Sequence, residues 1–282
     1  MKLVEALAFA KDQLTLAGVP SPDADAHWLL AHALGTTRAE LLTRITFDFS
    51  LTDEQLSQFN LDLEKRIRRI PLQHIIGVAA FRTLELAVGP GVFIPRFETE
   101  QVTQVAIDYL NSLPGQPKAV DLGTGSGAIA ISLAKETNAE VTAIELSEQA
   151  ASYAEKNIES NQAAVKLIIG SIDEELPRLR NLDLVVSNPP YIPLAAVPID
   201  QEVRDFDPEL ALYSGEDGLD VIRQIIETAP LSLRVGGLLV LEHADGQSDS
   251  LRELLLEAGY GGISVHPDPT GRLRAVSATR RN

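Results

Sequence analysis

A chain of 282 residues, 45% hydrophobic and 23% charged, has the composition of a globular protein with room for more than one domain. It has no cysteine, which excludes disulfides and thiolate metal sites, and its five histidines are scattered without ligand spacing, so no metal is expected. A formal net charge of −16 argues against gripping phosphate backbones by charge, and the lack of a long apolar run or a signal-peptide pattern makes a cytosolic protein without membrane contact the expectation.

Residues 1 to about 70 read as successive helices. Leu3, Leu7 and Leu14, with Val4, Ala8 and Phe9, give a helical period that Gly18-Val19-Pro20 ends. Ser21-Pro22-Asp23 places a cap ahead of a proline at the first helical position, and Trp28, Leu29, Leu30 and Leu34 follow up to Gly35. Thr37-Arg38-Ala39-Glu40 and Thr52-Asp53-Glu54-Gln55 match the capping box, so two more helices start there. The last runs through Leu56, Phe59, Leu63 and Ile67 and stops before Pro71. The basic runs Lys65-Arg66-Ile67-Arg68-Arg69 and Arg280-Arg281 read as solvated surface rather than as nucleic-acid contacts. Residues 1–72 are therefore expected to form a small helical bundle, a substrate-docking domain or a stabilising cap.

From Gln73 to about Val92 the period changes to two, and Phe81 to Val88, bounded by Gly77 and Gly89-Pro90-Gly91, predicts a β-hairpin linker over 73–92. A helix follows from about Glu98 to Leu110, then the loop Leu113-Pro114-Gly115-Gln116-Pro117. Strands are expected at 118–122, 140–145, 165–169, 182–187 and 237–242. Helices are expected near 126–136, 148–160, 217–234 and 248–258, with an antiparallel pair at 262–266 and 272–278. Alternating strands and helices over 93–282 imply an α/β, doubly wound, mostly parallel sheet with ligands at the carboxyl ends of its strands.

Asp121-Leu122-Gly123-Thr124-Gly125-Ser126-Gly127 follows the first of these strands and opens a helix, and its glycines let a ligand approach the backbone closely. A dinucleotide fingerprint would place its third glycine where Ala128 stands. Glu145 closes the next strand, where a carboxylate can accept both ribose hydroxyls of a nucleoside or, in the plainer reading, favour the following helix dipole. Nucleoside binding without a phosphate cradle suggests S-adenosylmethionine, with the loop at its methionine portion and Ile172, after the third strand, at the adenine edge. After the fourth strand comes Asn188-Pro189-Pro190-Tyr191. The prolines forbid a helix there and leave a stiff loop, on which Asn188 Oδ1 and the Pro189 carbonyl can accept from one substrate NH2 with Tyr191 as a flat wall. The joint expectation is a class I methyltransferase acting on nitrogen.

At this point the chain resembles the glutamine N5-methyltransferases of peptide-chain release factors, the HemK/PrmC family, over nearly its whole length. The resemblance rests on Pro71-Leu72-Gln73-His74-Ile75-Ile76-Gly77, Gly91 to Glu100 around Ile94-Pro95-Arg96, the glycine loop, Asn188-Pro189-Pro190-Tyr191-Ile192, Asp207 to Leu212 with Asp217-Gly218-Leu219, and Gly271-Arg272-Leu273-Arg274. Phe97 stands where the family usually has proline, Ser171-Ile172 replaces a frequent acidic-aromatic pair, and Leu241 to Gln247 is a loose match. The resemblance implies methylation of the glutamine side-chain amide in the Gly-Gly-Gln loop of class I release factors. It needs no strong base, so His74 and His243 are expected to be surface or packed histidines. Competing readings are a DNA adenine methyltransferase using the same tetrapeptide on a flipped base, a glutamine methyltransferase of a ribosomal protein, and a non-catalytic S-adenosylmethionine-binding module. A monomer is expected.

Overall fold

The capping-box spacings at Thr37 and Thr52 become helix starts in the computed structural model, which describes residues 1–281. Five helices come first: α1 (Leu3–Leu16), α2 (Pro22–Ala33), α3 (Arg38–Thr46), α4 (Asp53–Ile67) and the short α5 (Leu72–Ile76). Thr37 Oγ1 accepts from the Glu40 amide and Thr52 Oγ1 from the Gln55 amide, both at 3.2 Å. The Glu40 and Gln55 side chains return a bond to each cap amide, so N–H groups that a helix start leaves orphaned are satisfied in pairs. Ser21 stands at the cap of α2 but makes no capping bond; the fixed φ and missing N–H of Pro22 suit that start instead. Leu3, Leu14, Leu29, Leu30, Leu41 and Phe59 close one apolar cluster. Trp28 stays outside it, stacked with the Arg38 guanidinium 5.2 Å from its ring centre.

Two compact units separate by their contacts. One holds Met1–Val78 together with Pro198–Phe206, and the other holds the rest of the described chain. Within the first unit the basic run departs from its expected solvation. Arg66 is only 3% exposed; its Nε donates to Asp25 at 2.7 Å, its Nη2 to Glu202 at 2.8 Å and its Nη1 to the Ile70 carbonyl at 3.0 Å. Arg69 Nε donates to the same Glu202 carboxylate at 3.0 Å. The partners lie 41 and 136 residues from Arg66, so a local count of charges could not reveal them. Arg68, on the outer side, is exposed as expected.

The second unit begins at Ala79, within strand β1 (Val78–Phe81) of the hairpin, and continues with β2 (Leu84–Ala87) and α6 (Thr99–Ser112). Then come β3 (Lys118–Leu122), α7 (Ala128–Glu136), β4 (Glu140–Glu145), α8 (Glu148–Ser160), β5 (Val165–Ile169), the single turn α9 (Ile172–Glu175) and β6 (Leu182–Ser187). After α10 (Gln201–Phe206), which lies in the first unit, follow α11 (Glu209–Leu212), α12 (Asp220–Thr228), β7 (Leu233–Glu242), α13 (Ser248–Glu257), β8 (Gly261–Pro267) and β9 (Leu273–Thr279). Two boundaries differ from the sequence reading. Gln73–Ile76 belong to helix α5, and the period of two begins only at Val78. The helix expected over 217–234 ends at Thr228 and gives way to a 3-10 turn that contains Pro230, whose ring and missing N–H cannot continue a helix, and β7 then starts at Leu233.

The large sheet runs β5-β4-β3-β6-β7-β9-β8. β3 to β7 are mutually parallel, and β9 lies antiparallel between β7 and β8. This is the expected doubly wound sheet with its C-terminal antiparallel hairpin. Val120, Leu122, Leu184, Val185 and Val186 on its central strands have no exposed surface, which explains why those strands read as apolar runs rather than alternations. One face packs on α6 and α7 through Val102, Ala106, Leu110 and Leu133, the other on α12 and α13 through Ile222, Ile225, Leu251 and Leu255. Among the described residues no helix is long and apolar enough to cross a membrane.

Arg66→Ala would strand the buried Asp25 carboxylate and leave Glu202 to Arg69 alone, at a cost of about 3–5 kcal/mol. Urea unfolding of the N-terminal unit should register that loss, while Arg68→Ala stays within about 0.5 kcal/mol of the wild type.

Candidate active site

The register of the sheet assembles the site. Leu122 pairs with Ile144 on one side and with Ser187 on the other, and Ser187 pairs with Leu241. One residue further along, Glu145, Gly123, Asn188 and Glu242 therefore stand at the ends of four neighbouring strands. Between β3 and β6 the strand order reverses, because β4 and β5 lie to one side and β7 to the other. That reversal opens a crevice at the carboxyl ends, the usual place for a ligand in such sheets.

Gly123, Gly125 and Gly127 have φ of +65°, +58° and +86°, the left-handed region that residues with a Cβ avoid. The loop is fastened to β4. The amides of Gly123 and Thr124 donate to the Ile144 carbonyl at 2.9 and 3.1 Å, and the Gly125 amide donates to Glu145 Oε2 at 2.8 Å. Glu145 Oε1 accepts from the Ser147 amide at 2.9 Å. Ser126 is buried, and its carbonyl accepts from Asn157 Nδ2 at 2.8 Å. Asn157 also bonds both the amide and the carbonyl of Ala87, so one buried side chain on α8 ties the hairpin to the glycine loop. No sequence signal had singled it out. Ile172 begins α9 half-buried, two residues beyond Gly170, whose amide donates to the Glu145 carbonyl at 2.9 Å.

Asp121 is 1% exposed, and its Oδ2 accepts from the Thr124 hydroxyl at 2.6 Å and from the Ala130 amide at 3.2 Å. Its Oδ1 is buried with no partner among the described residues. Burial pushes this carboxyl up to about 7 and the charge of Glu145 adds to the effect, while the two hydrogen bonds oppose it.

Asn188 donates from Nδ2 to Thr99 Oγ1 at 3.0 Å. The chain then leaves as a stiff strip. Pro189 is buried, Pro190 half-buried, and the Ile192 amide donates to the Leu212 carbonyl at 2.8 Å. Gln247 Nε2 holds the Tyr191 carbonyl at 3.1 Å. Gly218, at φ +81°, lets the backbone pass there, since a Cβ would sit 2.2 Å from the Tyr191 carbonyl oxygen. The Tyr191 hydroxyl makes a long contact of 3.4 Å to Glu242 Oε1, and burial followed by the Glu242 charge raises its pKa, so it keeps its proton. Glu242 is 1% exposed and raised to about 7, chiefly by burial. His243 is packed within the fold with Nδ1 2.9 Å from the Ala244 carbonyl, and burial lowers its pKa. Thr99, Glu242 and Gln247 lie outside the candidate residues named from the sequence; Glu242 carries the same signal as Glu145, an acid closing an apolar strand.

A doubly wound sheet carrying a glycine loop, an acid after the next strand and an Asn-Pro-Pro-Tyr strip across the switch point defines a class I methyltransferase. Among solved structures the chain resembles a methyltransferase from Pyrococcus furiosus, with a TM-score of 0.53 at 20% identity, covering 80% of this chain and 99% of that one. The family model of the PrmC N-terminal domain matches residues 5–77, and that of the methyltransferase small domain matches residues 83–199. A release factor glutamine methyltransferase from Streptomyces coelicolor is 45% identical, over 99% of this chain and 98% of that protein. Another from Mycolicibacterium smegmatis is 42% identical over the same shares. The chain belongs to the release factor glutamine methyltransferase family.

Gly218→Ala should displace the Tyr191 carbonyl, since backbone rather than a flexible side chain blocks the new Cβ. Methyl transfer should fall by about 10- to 100-fold, with a lowered melting temperature read by calorimetry.

Proposed function

We propose that the protein transfers the methyl group of S-adenosylmethionine to the side-chain amide nitrogen of the glutamine in the Gly-Gly-Gln motif of class I peptide chain release factors, acting as a cytosolic monomer whose helical unit docks the substrate. The observation that carries the reading is the shared row that sets Asn188 beside Gly123 and one strand from Glu145.

The residues present suit the cofactor. The unpartnered Asp121 Oδ1 is a buried acceptor at the foot of the glycine loop, fit for a cationic ammonium. Each Glu145 oxygen accepts one amide and keeps lone pairs for a pair of hydroxyls. Ile172 offers an apolar side to an adenine ring, and Thr124, Gly125, Ser126 and Gly127 offer the close-approaching backbone. When bound, S-adenosylmethionine supplies a methyl group made electrophilic by its sulfonium. A side-chain amide nitrogen is a poor nucleophile because its lone pair is delocalised into the carbonyl. Asn188 Nδ2 is committed to Thr99, so Oδ1 is left to accept one amide hydrogen, and the Pro189 carbonyl accepts the other. These bonds orient the nitrogen and stabilise the positive charge that grows on it. Orientation of this kind is worth up to roughly 7–11 kcal/mol. The N-methylated amide is acidic enough to lose its proton to water, so neither the packed His243 nor the protonated Tyr191 is needed as a base.

Methyl transfer from labelled S-adenosylmethionine to purified class I release factor, with mass mapping, tests the reading. Label on the Gly-Gly-Gln glutamine is expected, and Asn188→Ala should lower the rate by about 100-fold or more. Label only on ribosomal protein or duplex DNA, run in parallel, would overturn the substrate.

Asp121 yields a second prediction. Its folded pKa of about 7 lies above the ordinary 3.8, so the folded state holds a proton that the unfolded chain releases, and this group's contribution to stability declines as pH rises across that interval. Asp121→Asn cannot ionise. The ligand-free variant should melt higher than the wild type above about pH 7, yet bind S-adenosylhomocysteine about 10-fold or more weakly by calorimetry.

A further inference from the structure

Asn188 carries out the proposed chemistry only in one of its two amide orientations, with Oδ1 turned to the substrate and Nδ2 turned away. Nothing in the Asn-Pro-Pro-Tyr strip itself selects between them, because an amide presents similar shapes either way round. The selection lies with Thr99, the first residue of α6, whose Oγ1 accepts from Nδ2 at 3.0 Å. Thr99 is 4% exposed. A buried hydroxyl must place its own proton, and the Glu242 carboxylate, which ends the strand beside that of Asn188, interacts with it. Glu242 is itself 1% exposed, and its Oε2 has no hydrogen-bond partner within ordinary range. An ionised carboxylate only accepts, so it draws the hydroxyl proton toward itself. The Thr99 oxygen then has only lone pairs left for Asn188, and those lone pairs call for an NH2.

We infer that Thr99 and Glu242 are positioning residues that act in series, the carboxylate orienting the hydroxyl and the hydroxyl orienting the Asn188 amide so that its oxygen receives the amide to be methylated. The inference rests on the proposed function for its chemistry, and on the hydrogen bond, the burial and the strand register for its geometry. Ser187 pairs with Leu241, so Asn188 and Glu242 end adjacent strands, and Thr99 interacts with both side chains.

The device has a consequence for pH. Four groups bear on the Glu242 carboxyl besides its burial: Arg274 on β9 and the hydroxyls of Thr99 and Tyr191 favour the charged form, and Glu98 just before α6 opposes it. Together they leave it near neutrality, at about 7. Once protonated, Glu242 becomes a donor and can turn its proton onto Thr99 Oγ1. The Thr99 proton then points to Asn188, which must offer Oδ1 in place of Nδ2, and the acceptor is withdrawn from the substrate. The turnover number at saturating cofactor and release factor should therefore fall as pH drops through the Glu242 transition.

Thr99→Val keeps the shape and removes the hydroxyl. It should lower kcat by about 10- to 100-fold while leaving the affinity for S-adenosylhomocysteine unchanged, and Thr99→Ser should recover kcat to within about threefold. Glu242→Gln retains an acceptor for the hydroxyl and cannot titrate, so its kcat should lose the acid limb seen in the wild type. A substrate-independent reading comes from nitrogen-15 asparagine labelling, with the Asn188 side-chain signal identified by its loss in Asn188→Ala. The NH2 proton donated to Thr99 should be protected from exchange in the wild type and in Thr99→Ser, and unprotected in Thr99→Val. Unchanged protection in Thr99→Val would overturn the inference. So would a loss of kcat that serine does not recover, or an acid limb that persists in Glu242→Gln. If the wild type fails to methylate release factor, the substrate assignment falls, and the exchange measurement still decides the positioning role.

Discussion

The pairing of β3 with β6 is the interaction on which the rest of the methyltransferase unit depends. It fixes Leu122 opposite Ser187, and a slip of one residue would turn every side chain of one strand to the other face. The buried apolar runs on both strands make such a slip costly, since Val120, Leu122, Leu184 and Val186 are all fully enclosed. Packing energy thereby sets where the polar residues beyond the strand ends arrive. Gly123 and Asn188 belong to segments 65 residues apart in the chain, the separation of the Ser187 hydroxyl from the Leu122 carbonyl it bonds at 2.7 Å.

A second constraint follows from burial at those strand ends. Asp121 and Glu242 are each about 1% exposed and each raised to about 7. Holding two such groups is unfavourable for the ligand-free fold at neutral pH and above, because both resist ionising where water would let them ionise freely. The arrangement suits the proposed site, which would receive a cationic cofactor and orient a neutral amide. It is the kind of local cost that functional sites retain.

The strip that carries Asn188 is rigid for reasons shared between its own prolines and its neighbours. Pro189 and Pro190 limit the backbone, but the bond from Gln247 to the Tyr191 carbonyl and the bare backbone of Gly218 beneath it decide where that backbone lies. Neither neighbour is close in sequence. The same holds in the helical unit, where Arg66 owes its burial to Asp25 and Glu202.

What the sequence by itself determined was local. Capping boxes at Thr37 and Thr52, the apolar runs of the parallel strands, the glycines of the loop and the two prolines after Asn188 each act within a few residues, through backbone conformation or hydrophobic period, and the structure places each element accordingly. The doubly wound class was legible for the same reason, since strand and helix periods alternate along the chain. Only the tertiary structure decided what depends on partners far apart. It turned the basic run at Arg66 and Arg69 inward, ended the helix after Thr228, and brought Asn157 to the glycine loop. It also brought Thr99 to Asn188 and set Glu242 at the end of the next strand. A side chain's environment is set by strand order and register, which arise from the packing of the whole sheet, and no window of neighbouring residues encodes them.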